Sequence, residues 1–145
     1  MIKLEDQVCS LGIAKELKAL GFEQDSLISW KTHDGIKFVL TVCGIGFTYK
    51  EEDNEEYKAY NSDEIYLILP RKIKSGVHEQ KHGFLEIRKG LEGCYCSYIT
   101  RSSITSIERR RPCALISFKD KTMPNALGKM LIRLIKEGLI NLEEK

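Results

Sequence analysis

His78-Glu79-Gln80-Lys81-His82 spells H-E-x-x-H, a literal match to a catalytic motif. In zinc peptidases with this pattern the two histidines stand one helical turn apart and bind Zn²⁺, while the glutamate acts as general base on the metal-bound water. The spacing works because side chains at i and i+4 share one face of a helix. The chemistry also needs a rigid, partly buried helix and a third ligand. Here Gly76 and Gly83 bracket the motif and leave no length for such a helix. Lys81 puts a cation at a spacer position beside the would-be metal. Residues 77–82 show almost no apolar period, so nothing would bury a helix face. Glu108 can be nominated as a third ligand, but no spacing selects it. The segment is expected to be a solvated linker, with His78 and His82 as its metal candidates and Glu79 as its catalytic one. No cofactor and no enzymatic activity are expected.

Two basic clusters come next. Arg109-Arg110-Arg111 could clamp phosphates, and Arg71, Lys72 and Lys74 form a second group. Glu108 dilutes the first, and no aromatic pair interleaves with it to stack bases. A solvated loop is the simpler reading, and nucleic-acid binding is the alternative if the clusters share a face. The whole-chain balance is nearly neutral, with 23 Lys+Arg against 21 Asp+Glu. That weighs against a strongly basic nucleic-acid binder and against an acidic disordered tail.

The cysteines are Cys9, Cys43, Cys94, Cys96 and Cys113. Their odd number, with no export signal, predicts reduced thiols in a bacterial-type cytosol. Cys94 and Cys96 fall on one face of an expected strand and are read as core thiols. Trp30, Phe38, Phe47 and Tyr49 are read as core packing on a sheet. Gly44-Ile45-Gly46 lacks the lysine and following helix of a phosphate loop, and no triad is recognisable near His33. No apolar run reaches the ~18 residues of a membrane span.

The elements that would position these residues can be read in order. Ser10 caps a helix carrying Ile13, Ala14, Leu17 and Leu20, stopped by Gly21. Residues 26–32 read as a short strand and 36–49 as β-rich, with a phase flip near Gly44 suggesting a bulge. Residues 51–56 read as an acidic loop. Ser62-Asp63-Glu64 resembles a helix start running to Pro70, but Ile65-Tyr66-Leu67-Ile68 is equally compatible with a strand. Residues 84–89 and 94–100 form an expected hairpin about Gly90-Leu91-Glu92-Gly93, residues 101–111 a basic loop, and 114–118 a strand. Thr122 or Asn125 caps a final helix bearing Ala126, Leu127, Met130, Leu131, Leu134 and Ile135, stopped by Gly138.

Three segments carry a resemblance. Val8-Cys9-Ser10 leads into Ala14-Lys15-Glu16-Leu17-Lys18-Ala19-Leu20-Gly21, then Gln24-Asp25-Ser26-Leu27 and Trp30; Ser62-Asp63-Glu64-Ile65 runs to Leu69-Pro70; and Leu127-Gly128-Lys129-Met130-Leu131-Ile132 runs to Glu137-Gly138-Leu139-Ile140. The arrangement resembles small uncharacterised proteins of phages and prophage-like elements in gut bacteria. These carry an N-terminal helix ending in Leu-Gly, a middle E-L-x-x-x-L-P segment and a Met/Leu/Ile-rich C-terminal helix. The resemblance implies a mobile-element origin without an established activity, and a variable link after Leu-Pro that would hold His78 and His82. The present chain departs from it at Ile65–Ile68, which is more β-like than the usual helix.

These readings together predict a single α+β domain: a mostly antiparallel sheet of about four to five strands, covered by the N- and C-terminal amphipathic helices. The expected function is a cytoplasmic, non-enzymatic phage or prophage accessory protein that binds another protein or itself. A nucleic-acid-binding module is the alternative, and a small zinc hydrolase the third reading. No membrane association is expected.

Overall fold

The chain is described by a computed structural model over residues 3–32, 35–42, 55–74, 82–100, 113–140 and 142. The expected bulge near Gly44, the β-rich stretch 43–49, residues 51–54 of the expected acidic loop 51–56, the loop 101–111 and the linker 76–81 lie outside these residues, while Glu56, the end of that acidic loop, opens a strand instead.

Ser10 has extended backbone, and its Oγ accepts the Ile13 N–H at 3.5 Å, making it the N-cap that its sequence context predicts. Helix α1 follows over Leu11–Ala19 and buries Ile13, Ala14 and Leu17. Gly21, at φ +78°, ends the turn beyond it in the left-handed conformation that glycine tolerates.

Strands β1 (Ile28–Thr32), β2 (Phe38–Val42) and β3 (Glu56–Lys58) form an antiparallel sheet in the order β2-β1-β3. Strand β3 has too short and too polar a sequence to declare itself. Its pairing with β1 makes it a strand, setting Tyr57 opposite Trp30 and Glu56 opposite Lys31.

The ambiguous middle segment is a helix, α2, over Ser62–Ile68. A capping box decides it: Asn61 Oδ1 accepts the Glu64 N–H at 2.9 Å, and Glu64 Oε2 accepts the Asn61 N–H at 2.8 Å. Two of the helix's orphan donors are thereby satisfied. Leu69 returns to extended backbone ahead of Pro70.

A second antiparallel sheet runs β4 (Lys72–Lys74), β5 (His82–Gly90), β6 (Gly93–Thr100) and β7 (Cys113–Asp120), neighbours in chain order. The hairpin β5–β6 turns on Leu91-Glu92, with Gly90 opposite Gly93. A register irregularity at Tyr98/Ile99 interrupts β6–β7. The last helix, α3, spans Met123–Lys136 with Pro124 in its first turn. Thr122 holds the N-cap position without a side-chain cap bond. At the other end, Leu139 N–H donates to Leu134 O at 2.9 Å and Gly138 N–H to Ile135 O at 3.0 Å, the Schellman pattern.

The class is α+β with antiparallel sheets, as the sequence predicts. The strands divide between two sheets, of three and four strands among the described residues, rather than sharing one. Helix α3 joins the halves: it packs on β6 and β7 and meets α1 and α2, while α1 also touches β3. One buried cluster results, in which Leu17, Leu127, Met130, Leu131 and Leu134 from the terminal helices meet Cys96 and Tyr98 from the sheet.

Candidate interaction surfaces

Of the catalytic-looking motif, His82 alone lies within the described residues. His82 is the opening residue of β5, paired with Lys74, so a strand and not a helix runs through it. The strand begins two residues before the expected Phe84. Gly83, read in the sequence as a helix breaker, instead lies against the covered face of the sheet. A Cβ there would meet Leu115 Cδ1 at 2.8 Å and Tyr98 Cβ at 3.1 Å. His82 Nδ1 is buried and makes no hydrogen bond among the described residues. His78 and Glu79 lie outside the described residues. Among the described residues, no group of three His, Cys, Asp or Glu side chains gathers to hold a metal ion.

The thiols Cys9, Cys94 and Cys96 are free and buried. Alternation along β6 places Cys94 and Cys96 on the face covered by α3, in the core role expected of them. Burial pushes the Cys9 and Cys96 thiols up to about 12, which leaves them protonated at neutral pH and poor nucleophiles. Trp30 packs against the core and donates from Nε1 to Cys9 O at 3.1 Å, tying β1 to the entry of α1. Cys43 and the Cys113 side chain lie outside the described residues.

The open clefts carry charges of both signs. One of about 710 Å³, between the starts of α2 and α3, is lined by Asp6 and Asp63 as well as Lys89 and Lys121. Another of about 610 Å³ lies along α1, α3 and β7. Its charges are engaged: Lys129 Nζ with Asp120 Oδ2 at 2.7 Å, and Lys136 Nζ with Glu16 Oε1 at 2.5 Å. Asn125 completes the junction, accepting the Ser10 N–H at 2.7 Å and donating to Asp120 Oδ1 at 3.3 Å. These groups hold α1, α3 and β7 together.

Two surfaces differ from this pattern. The first is β2, an edge strand whose outer side no described strand pairs. It reads Phe-Val-Leu-Thr-Val without a charge, and Val39 and Val42 are 50% and 40% exposed. Ile36 just before it and Leu27 just before β1 are exposed as well.

The second is the face of the four-stranded sheet opposite α3. Cross-strand register sorts its outward side chains into rows: Arg88–Tyr95–Lys119, Glu86–Ser97–Ser117 and Lys72–Phe84–Ile99. The Arg88 guanidinium carbon lies 5.0 Å and Lys119 Nζ 5.5 Å from the Tyr95 ring centroid, and Lys72 Nζ lies 5.8 Å from that of Phe84. The Ser97 and Ser117 hydroxyls are 2.7 Å apart.

No family model, curated protein or solved structure compared with this chain matches it.

Of the basic residues singled out in the sequence, Lys72 and Lys74 are exposed on one side of β4, with Ile73 buried between them and Arg71 exposed just ahead. Arg109, Arg110 and Arg111 lie outside the described residues. Sequence reading passed over Arg88, Tyr95, Ser97, Ser117 and Lys119. Their period-two spacing was visible, but which parity faced solvent depended on where α3 docked. No described helix is long and apolar enough to cross a membrane.

Proposed function

We propose that this protein is a non-enzymatic interaction module of a phage or prophage, acting in the bacterial cytoplasm by adding a protein strand to the edge of β2. The resemblance of its three segments to phage and prophage proteins supplies the setting. The observation that carries the reading is the edge itself: β2 is uncharged, with Val39 50% exposed, and it lacks a described outer neighbour. Edge strands are ordinarily blunted by lysine, proline, a bulge or a covering element, because their open main-chain groups template pairing. Strand addition uses those groups for affinity and alternate side chains for specificity.

A second copy of the chain suits this edge. Antiparallel pairing centred on Leu40 sets Val39 against Thr41 and Phe38 against Val42, and sends the two Lys37 side chains to opposite ends. No like charges then face each other.

Sizing in solution across a concentration series tests the proposal, with hydrogen exchange read at the β2 amides. The wild type is expected to self-associate with β2 protected, and Val39→Lys to be monomeric with β2 exposed. A wild type that stays monomeric, with the β2 amides that face away from β1 exchanging as fast as those of a loop, overturns it.

A further inference from the structure

The chain is almost neutral as a whole, yet its charges are not evenly spread. On the open face of the four-stranded sheet, Lys72 and Lys74 stand at one end and Arg88 and Lys119 at the other, against one carboxylate, Glu86, within the rows. Glu92 at the hairpin turn reaches Lys119 at 2.9 Å, but with Glu92 79% exposed that pair is a weak competitor for the lysine. Two aromatic rings lie within this charge pattern. Phe84 is 37% exposed, and Tyr95 is half-buried between two cations. Arg88 and Tyr95 are cross-strand partners, and four residues of β5 separate Arg88 from Phe84, so the aromatic rows are about 13 Å apart at ~3.3 Å per residue. The Ser97–Ser117 hydroxyl pair occupies the row between them.

We infer that this face binds single-stranded nucleic acid. Phosphates along an extended strand meet the cations at the two ends. Unpaired bases stack on Phe84 and on the Arg88 guanidinium, a planar stacking surface that rests on the Tyr95 ring. The paired serine hydroxyls offer a donor and acceptors to base edges passing between the aromatic rows. A duplex hides its base faces from such a platform, and no described element projects from the sheet to enter a groove. Charge complementarity also favours nucleic acid over a protein occupant, since protein interface cores are depleted in lysine and Lys72, Lys74 and Lys119 all lie on this face. The face is separate from β2, so this inference does not rest on strand addition.

Fluorescence anisotropy with labelled mixed-sequence single-stranded DNA and RNA, against the matching duplexes, tests it. Single strands are expected to bind more tightly than duplexes, with affinity falling as salt rises. Arg88→Gln and Lys72→Gln should each lower the slope of log affinity against log salt by about 0.7. Tyr95→Ala should weaken binding by about five- to 150-fold with little change in that slope, while Tyr95→Phe, which keeps the ring, binds as the wild type does. Val39→Lys should leave binding intact, so failure of β2 pairing and failure of this inference can be told apart. Absence of binding at low salt overturns the inference. So does equal binding to duplexes or to anionic phospholipid vesicles, or wild-type affinity in the Tyr95→Ala and Arg88→Gln variants.

Discussion

Gly128 of α3 lies so close to Ile13 of α1 that a Cβ at position 128 would sit 2.6 Å from Ile13 Cγ2. Gly128 is buried, so the glycine in mid-helix is there for the approach of the two helices and not for chain reversal. An added methyl must push against a β-branched side chain that is stiff at χ1. Overpacking of this kind costs ~1–3 kcal/mol, and the better helix propensity of alanine returns ~1 kcal/mol of it. Gly128→Ala is therefore expected to lose up to about 2 kcal/mol in denaturant unfolding. Ile13→Leu, which moves the branch methyl off Cβ, should remove most of that loss in the double variant.

The apolar stripe of α3 gives a second expectation. Leu131 and Leu134 have no exposed surface and sit in the cluster that both sheets share. Leu131→Ala and Leu134→Ala should each cost ~2–5 kcal/mol, the range for buried leucines truncated in a core that collapses only partly. Substitution of Leu67, which is 81% exposed on α2, should change stability by less than about 0.5 kcal/mol. Equilibrium urea unfolding of the three variants checks the contrast.

The burial of Leu131 and Leu134 was legible in the sequence, because helical periodicity and caps are local, whereas the exposure of Leu67 was not, since Ile65–Ile68 read as helix or strand alike. Ser10, Gly21 and Gly138 mark helix ends by their own side-chain chemistry or backbone freedom. The helix start at Ser62-Asp63-Glu64 was marked as well, and the reciprocal pairing of Asn61 with Glu64 just ahead of it follows the same local logic. Strands β3 and β4 were not legible. Each has three residues and becomes a strand through a partner distant in the chain, Trp30 opposite Tyr57 and Lys72 opposite Phe84. The split into two sheets has the same origin, since strand order is a tertiary property that the alternation of β1 or β5 does not encode. The candidate surfaces follow suit. The alternation of Phe84, Glu86 and Arg88 was plain, but its meaning waited on α3 covering the opposite parity. Likewise, H-E-x-x-H is a pattern of residue types whose chemistry depends on helical backbone, and its last residue, His82, opens a strand paired with Lys74.

The buried thiols lead to a third expectation. With Cys9 and Cys96 both pushed up to about 12 by burial, neither supplies thiolate at neutral pH nor reaches a solvent reagent. In the native protein at pH 7 both should resist alkylation by iodoacetamide, and both should be labelled after unfolding in guanidinium. Peptide mass mapping before and after unfolding reads this directly. Rapid native labelling of Cys96 would contradict its place under α3.

The junction at Asp120 gives the chain an acid-sensitive joint. Burial acts to raise the Asp120 carboxyl, but Lys129, the Thr122 N–H and Asn125 outweigh it and hold the group below its ordinary value. Glu56 is lowered in the same way, with burial outweighed by the Ser29 hydroxyl, Lys58 and Lys31. A carboxylate whose folded pKa is depressed stabilises the fold fully above its unfolded value, and that stability is lost as pH falls through the folded value. The loss therefore begins near pH 4, where an unfolded aspartate takes up its proton, and deepens below it. Asp120→Asn should be less stable than the wild type at neutral pH, because an amide presents a donor to Lys129 Nζ. The gap should close as pH drops below the folded value, where the wild-type carboxyl is neutral too. Glu56→Gln should shrink part of the remaining acid dependence, since it acts on a separate cluster on β3. Urea midpoints from pH 7 to pH 2 for the three proteins measure this, and an Asp120→Asn deficit that persists unchanged at pH 2 would assign the effect to shape rather than charge.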